Sequence, residues 1–278
     1  MSQTAAARTA QVSDRGTTTA NLNTLLLACG VVAGSLFMVV ALVQSFTRPG
    51  FDLRRHAISM LSLGDLGWIQ VTDFVVSGLL FLVFAVGVRQ VLYPGRAGTW
   101  GPLLLCGFGA GLVIAGIFST DPALGFPRGA PAGMPSTMSW HAMLHSLGFF
   151  LAFSSLTAAC FVLAWGFTSL GRQRWAVASV ATGVATPLLI VVGMTSLIPT
   201  GVAFAMAGIL TTWWVATVAA RLATDPTIRR SASKTPGQAE HSRGRPPLGR
   251  QPPPRAPGPS APTAGARAPG QAATLAAG

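Results

Sequence analysis

Charged side chains are scarce in this chain. Only 9% of its 278 residues are Asp, Glu, Lys or Arg. That is too few to coat a water-soluble globule of this length, so the ordinary soluble class is excluded. Cysteine is scarce as well. Cys29, Cys106 and Cys160 each fall inside an apolar run, with no pairing spacing and no histidine alongside. They read as small packing residues, which excludes a disulfide framework and a sulfur-based metal site. The chain has no Gly-Lys phosphate loop, kinase signature or nucleotide-binding pattern. No ionisable residue falls near the middle of a long apolar run, where proton- and ion-coupled carriers place one. The two halves show no repeat, which removes support for an inverted-repeat transporter. A channel or carrier for neutral solutes stays open without positive support.

What the chain does have is hydrophobic length. Half of its residues are hydrophobic, and its mean hydropathy is +0.54. Crossing about 30 Å of hydrocarbon takes roughly 20 apolar residues, and six runs qualify: Leu22–Phe46, Trp68–Val88, Thr99–Phe118, His141–Phe167, Trp175–Met194 and Ile198–Ala220. The first run is too long for a signal peptide and is followed by no small-residue cleavage site, so it is read as a retained span. The fold class is therefore all-α: a polytopic membrane protein with a six-transmembrane-helix bundle over residues 21–221.

Arginine placement orients this bundle. Arg8 and Arg15 precede the first run, Arg89 and Arg96 lie in the second connector, and Arg172 and Arg174 lie in the fourth. Basic residues favour the cytoplasmic side, so both termini are expected there. The first connector dissents with Arg48, Arg54 and Arg55, which suggests that those arginines have a task outside. Trp68 and Trp140 mark the outer interface, and Trp100, Trp165 and Trp175 the inner one.

The formal net charge of +12 raises the question of a nucleic-acid partner. Many of the basic residues sit after Arg221, in a Pro-, Gly-, Ala- and Arg-rich stretch (PPPRAPGPSAP) with too little apolar content for a core. Residues 222–278 read as a disordered tail and residues 1–20, rich in Ser, Thr and Ala, as a disordered amino terminus. No nucleic acid is expected. The expected partners are membrane lipids, whose anionic headgroups would hold each tail arginine by about 1 kcal/mol; a tail that merely stays soluble explains it equally well. Arginine outnumbers lysine 18 to 1, which points to a GC-rich genome rather than to binding. No feature fixes an oligomeric state.

Small residues mark where helices approach. Gly30 and Gly34 are one turn apart in the first run, and Gly107, Gly111 and Ala115 share a face of the third. Pro187 would kink the fifth run, and Pro199 suits the first turn of the sixth.

The richest chemistry lies between the first two runs, in TRPGFDLRRHAISMLSLGDLGW (residues 47–68). A plain turn needs only a few residues, so a long charged connector is functional or lipid-facing. Asp52 can cap a helix running to about Leu63, with Gly64 as its stop. Leu53, Ala57, Met60 and Leu61 then form an apolar face that could lie in the membrane interface.

RPGFDLRRHAISMLSLGDLGW, the following span ending FAVGVRQVL, and the later GAGLVIAGIFSTDPALG and SWHAMLH together resemble the bacterial membrane family called domain of unknown function 998. The likeness covers about Leu22 to Ala220. It implies one six-helix domain in a bacterial plasma membrane and no particular reaction.

His141 and His145, four residues apart, share a face of the fourth helix. That stripe continues through Gly148, Ala152, Ser155 and Ala159, so it is expected to face protein. Asp73 and His145 each lie five residues below an interfacial tryptophan, which places both about 7.5 Å beneath the outer interface. With Arg54, Arg55, His56, Ser59, Asp65 and Asp121 they define a candidate outward-facing pocket, and three readings compete for it. The first is structural: Arg54 or Arg55 pairs with Asp65, Asp73 or Asp121 and pins the connector over the bundle. The second is a headgroup or small-ligand pocket, for which two guanidinium groups supply bidentate donors. The third is a zinc site drawn from His56, Asp73, Asp121, His141 and His145, activating water against a lipid or amphipathic ester or amide. The set is similar to that of the membrane hydrolases that include alkaline ceramidases, which use a His-x-x-x-His pair with a further His, an Asp and a Ser. Those proteins have seven spans and carry the pair in the last one, not the fourth. Whether the chain is an enzyme stays open.

Overall fold

The computed structural model describes residues 2–195 and 197–225, all within one compact unit. It is all-helical, with helices α1 (Ser2–Thr47), α2 (Gly67–Leu92), α3 (Arg96–Ile117), α4 (Trp140–Ser169), α5 (Gln173–Met194) and α6 (Thr200–Thr224). All six are long and apolar enough to cross a membrane, the first over Asn21–Thr47. Each helix packs on its neighbours in the chain, and α6 closes onto α1. The result is a ring of six helices around a common interior.

Glycine and alanine set the spacing of that ring. A Cβ on Gly111 would meet the backbone of Gly148 and Ala152, and one on Gly78 would meet the Gly109 carbonyl. The stripe expected to face protein does so: Gly148, Ala152, Ser155 and Ala159 are all buried, and α3 lies against them. Gly30 abuts the Phe84 ring and Gly34 abuts Thr212. Close backbone approach of this kind drives helix association where lipid offers no hydrophobic difference. Leu, Val and Phe side chains fill the remainder of the interior, with Phe84, Leu105, Leu156 and Leu163 fully enclosed.

Tryptophans fall at both ends of the bundle. Trp68 and Trp140 are exposed at one end, Trp100 and Trp165 at the other. At that second end Arg96 stands over the Trp165 ring and Arg221 over Trp175, 4.4 Å from its centre. Of the adjacent pair in α6, Trp213 is exposed. Trp214 is buried and donates its indole N–H to the Ser179 hydroxyl at 2.9 Å.

Four local expectations are corrected. The helix of the first span runs back to Ser2, through the segment read as disordered; its AAARTAQ sequence carries high helix propensity and simply continues the span. The helix expected over residues 52–63 is a turn at Asp52 followed by a short 3-10 helix, Ile58–Ser62. Pro199, expected in the first turn of α6, is its N-cap residue instead. Of the tail expected over 222–278, residues 222–224 complete α6, and residues 226–278 lie outside the described residues.

Candidate functional site

The first connector, residues 48–66, folds down over one end of the ring. Its central apolar side chains, Ile58, Met60, Leu61 and Leu63, are buried in the protein. Ile58 and Leu61 pack with Ala41 and Ala205, while Met60 and Leu63 pack with Ala123 and Phe126 of the third connector. The interface-lying helix expected from the sequence is thereby replaced by a roof. A short 3-10 turn presents side chains every third residue, which lets Ile58 and Leu61 reach the same cluster.

Two side chains hold the roof, and they do so through carbonyl oxygens. Arg48, at the end of α1, donates to the Leu63 carbonyl at 2.6 Å, to the Leu61 carbonyl at 3.2 Å and to Gln44 Oε1 at 3.4 Å. Its guanidinium also lies 5.7 Å from the centre of the Phe126 ring. Burial pulls its pKa below the ordinary arginine value, and the charge on Asp65 opposes that shift. His56 is buried. The Asp52 amide donates to His56 Nδ1 at 2.9 Å, which makes Nδ1 the acceptor. Nε2 therefore carries the hydrogen and donates to the Leu124 carbonyl at 3.1 Å, across to the third connector. Phe51 and Phe126 flank the imidazole, with centroids 5.3 and 5.4 Å away. Leu124 itself has φ 56°, a conformation costing about 1 kcal/mol for a residue with a Cβ. Bonds to Gly133 and His56 hold it there.

A buried polar chain descends from Arg48 into the bundle. Gln44 donates to Gln70 Oε1 at 2.8 Å, Gln70 donates to Asp73 at 3.2 Å, and Ser77 donates to the other Asp73 oxygen at 3.4 Å. All four side chains are buried. The helical spacings Gln44–Arg48 and Gln70–Asp73–Ser77 put each set on one face, so two helices supply a continuous hydrogen-bonded row. Asp73 thus meets a glutamine and a serine instead of an arginine.

The remaining candidates separate. Arg54 and Arg55 are exposed and form no ion pair among the described residues; the Arg54 backbone amide caps onto Asp52 Oδ1 at 2.9 Å. Their expected pairing with aspartates is corrected: the connector turns both outward, and carbonyl acceptors take over the pinning. Asp65 is exposed beside Arg48. Asp121 accepts from the Ser139 amide at 2.8 Å at the start of α4, where Ser139 in turn caps the Ala142 amide at 3.1 Å. Hydrogen bonding from Ser139, with help from His141, holds the Asp121 carboxyl below the ordinary carboxylate range. His141 is exposed, its ring tilted against that of Trp140 with the centroids 3.6 Å apart. His145, one turn below it, is buried, and its Nδ1 lies 2.9 Å from both the Ala115 and Phe118 carbonyls.

These placements do not fit a zinc ion. Among the described residues no three His, Cys, Asp or Glu side chains come together as a ligand set. His56 has both nitrogens engaged, His145 bonds to backbone, and His141 faces outward. The shared helical face of His141 and His145 is real, but one end of it is inside the protein and the other outside.

Beneath the roof lies a cleft lined by all six helices and by Ile58 and Ser59 of the connector. Its cavity volume is about 80 Å³. Seven phenylalanines line it, among them Phe81, Phe108, Phe149 and Phe153, and its few polar residues are Ser59, His145, Thr211 and Thr212. Sequence reasoning reached His145 and Ser59 but missed Arg48 as the pin, Gln44 and Gln70 as the row, and Phe126 as the shared wall. The two glutamines carried a signal: an amide inside an apolar span needs a partner of its own kind.

A family model described as "Protein of unknown function (DUF998)" matches residues 31–221, which take in the last part of α1, all of α2 to α5 and most of α6. Searches among curated proteins and among solved structures return no match. The match covers more than half of the chain, and the chain belongs to that family.

Proposed function

We propose that this member of the DUF998 family is a membrane ligand-binding module. Its first connector is the fixed roof of a cleft that takes an apolar or amphipathic molecule from the bilayer. The carrying observation is the cleft itself: phenyl rings from several helices converge under one roof, with few polar groups among them. Pockets of this composition, mostly apolar with a small number of placed polar atoms, suit small-molecule binding. The lock and pocket readings of the sequence become one reading. Arg48 and His56 fix the roof, and the roof closes the cleft.

Filling the cleft tests this. Ala207 lines it and is buried, so Ala207→Leu adds three carbons to the space without adding a polar atom. Native mass spectrometry of the purified full chain is expected to find a lipid-sized adduct on the wild type and little on the variant. Affinity for an environment-sensitive apolar dye should fall about tenfold, the effect of roughly 1–3 kcal/mol of overpacking. A variant that keeps both adduct and dye affinity would sink the proposal.

The orientation proposed is the one that arginine bias favours, with both termini cytoplasmic and the roof outside a bacterial plasma membrane. Reporter fusions at Gly95 and Gly278 should then behave as cytoplasmic and one at Gly125 as external. An external signal from Gly278 reverses the orientation and turns the cleft to the inside.

A further inference from the structure

The cleft has chemically different ends. His145 is 6% exposed and lines it. Its Nδ1 faces two carbonyl oxygens, which can only accept, so Nδ1 carries a hydrogen and shares it between them. In the neutral ring Nε2 is left with a lone pair, and no described residue donates to it. Ser59 also lines the cleft. Ser62 donates to the Ser59 carbonyl at 2.7 Å, but the Ser59 hydroxyl itself has no partner among the described residues. The two threonines differ: Thr211 donates to the Ala207 carbonyl at 2.8 Å and Thr212 to the Gly34 carbonyl at 3.2 Å. Their hydrogens are committed to backbone.

Depth separates these groups from the Phe81 and Phe108 rings. Ser59 belongs to the roof, and His145 is five residues into α4, about 7.5 Å along it at 1.5 Å per residue. Phe81 is fourteen residues into α2, about 21 Å along by the same rise. A polar head site at the roof therefore gives way to the deeper rings of Phe81 and Phe108.

We propose that the ligand is a single-chain amphiphile with a terminal O–H group, a long-chain alcohol or carboxylic acid. The O–H donates to His145 Nε2, the Ser59 hydroxyl is its second partner, and the chain runs past the Phe108 and Phe81 rings. This inference rests on the cleft reading above and adds the chemistry of the head. A buried acceptor without a donor is costly, so a ligand that brings the donor is preferred over one of equal length that does not.

Direct binding of radiolabelled hexadecanol, hexadecanoic acid and methyl hexadecanoate to the purified full chain in detergent tests it. The ester has the same chain and no O–H. At least one of the two O–H compounds is expected to bind about tenfold more tightly than the ester, the value of one unmet buried hydrogen bond; whichever binds more tightly identifies the head. Ser59→Ala should weaken the O–H compounds several-fold and leave the ester unchanged, and His145→Phe should erase the preference. Should His145→Phe fail to fold, the wild-type comparison and Ser59→Ala still decide. Equal binding of ester, alcohol and acid, or a preference indifferent to Ser59→Ala, overturns the head-site inference and leaves the cleft reading standing. Binding of none of the three overturns both.

Discussion

Arg48→Ala is expected to lower stability by about 3 kcal/mol, while Arg54→Ala and Arg55→Ala stay within about 0.5 kcal/mol of the wild type. Arg48 donates to the Leu61 and Leu63 carbonyls and touches Gln44, so its loss leaves two connector carbonyls and one buried amide short of a donor. Hydrogen bonds from a charged donor contribute roughly 1.5–3 kcal/mol each. For a bundle of this size that corresponds to a fall of about 10 °C in Tm, readable from tryptophan fluorescence during heating in detergent. Arg48→Lys should recover only part of the loss, because one ammonium cannot reproduce a planar fork that reaches two carbonyls. The contrast with Arg54 and Arg55 is the informative part. Those two arginines are exposed and unpaired among the described residues, so greater damage from either than from Arg48 would refute the roof as described.

Gly201→Ala should be at least as damaging. Gly201 lies in the first turn of α6, and a Cβ there would fall on the carbonyl oxygens of both His56 and Leu53. Both obstacles are backbone. They belong to a connector already tied down by His56 and Arg48, so neither can rotate away as a side-chain tip would. Overpacking of this kind costs about 3 kcal/mol, and Gly201→Leu is expected to stop the folded protein accumulating in the membrane. Gly133→Ala is the control, since a Cβ at Gly133 meets nothing within 4 Å. If Gly201→Ala melts with the wild type, the connector does not sit on α6 as the structure has it.

The polar site was partly legible. His145 is a candidate from its helical spacing to His141 and its depth below Trp140, Ser59 from its place in the charged connector, and both line the cleft. Asp73 was placed at the correct end of its helix by counting from Trp68, but its partners were misassigned. Charge complementarity suggested an arginine, whereas Gln70 and Ser77, on its own helix face, were nearer. Arg54 and Arg55 drew attention as a pair, yet adjacent residues on a turn cannot both face inward. Arg48 stood seven residues before Arg55 and looked like the edge of the span.

Sequence alone determined the membrane class, six spans and their limits to within a few residues. These follow from hydrophobic length against bilayer thickness, which is a one-dimensional quantity. It also determined that the Gly148–Ala159 stripe faces protein, because a helix carries its own periodicity. Only the tertiary structure decided that the connector is a roof, that carbonyls and not carboxylates hold it, that His141 and His145 part company, and that seven phenylalanines from different helices meet in one cleft. Each of those depends on which helices are neighbours and on how a connector without regular period folds back over them. Such contacts link residues far apart in the chain, as His56 meets Leu124, and no local pattern encodes that pairing.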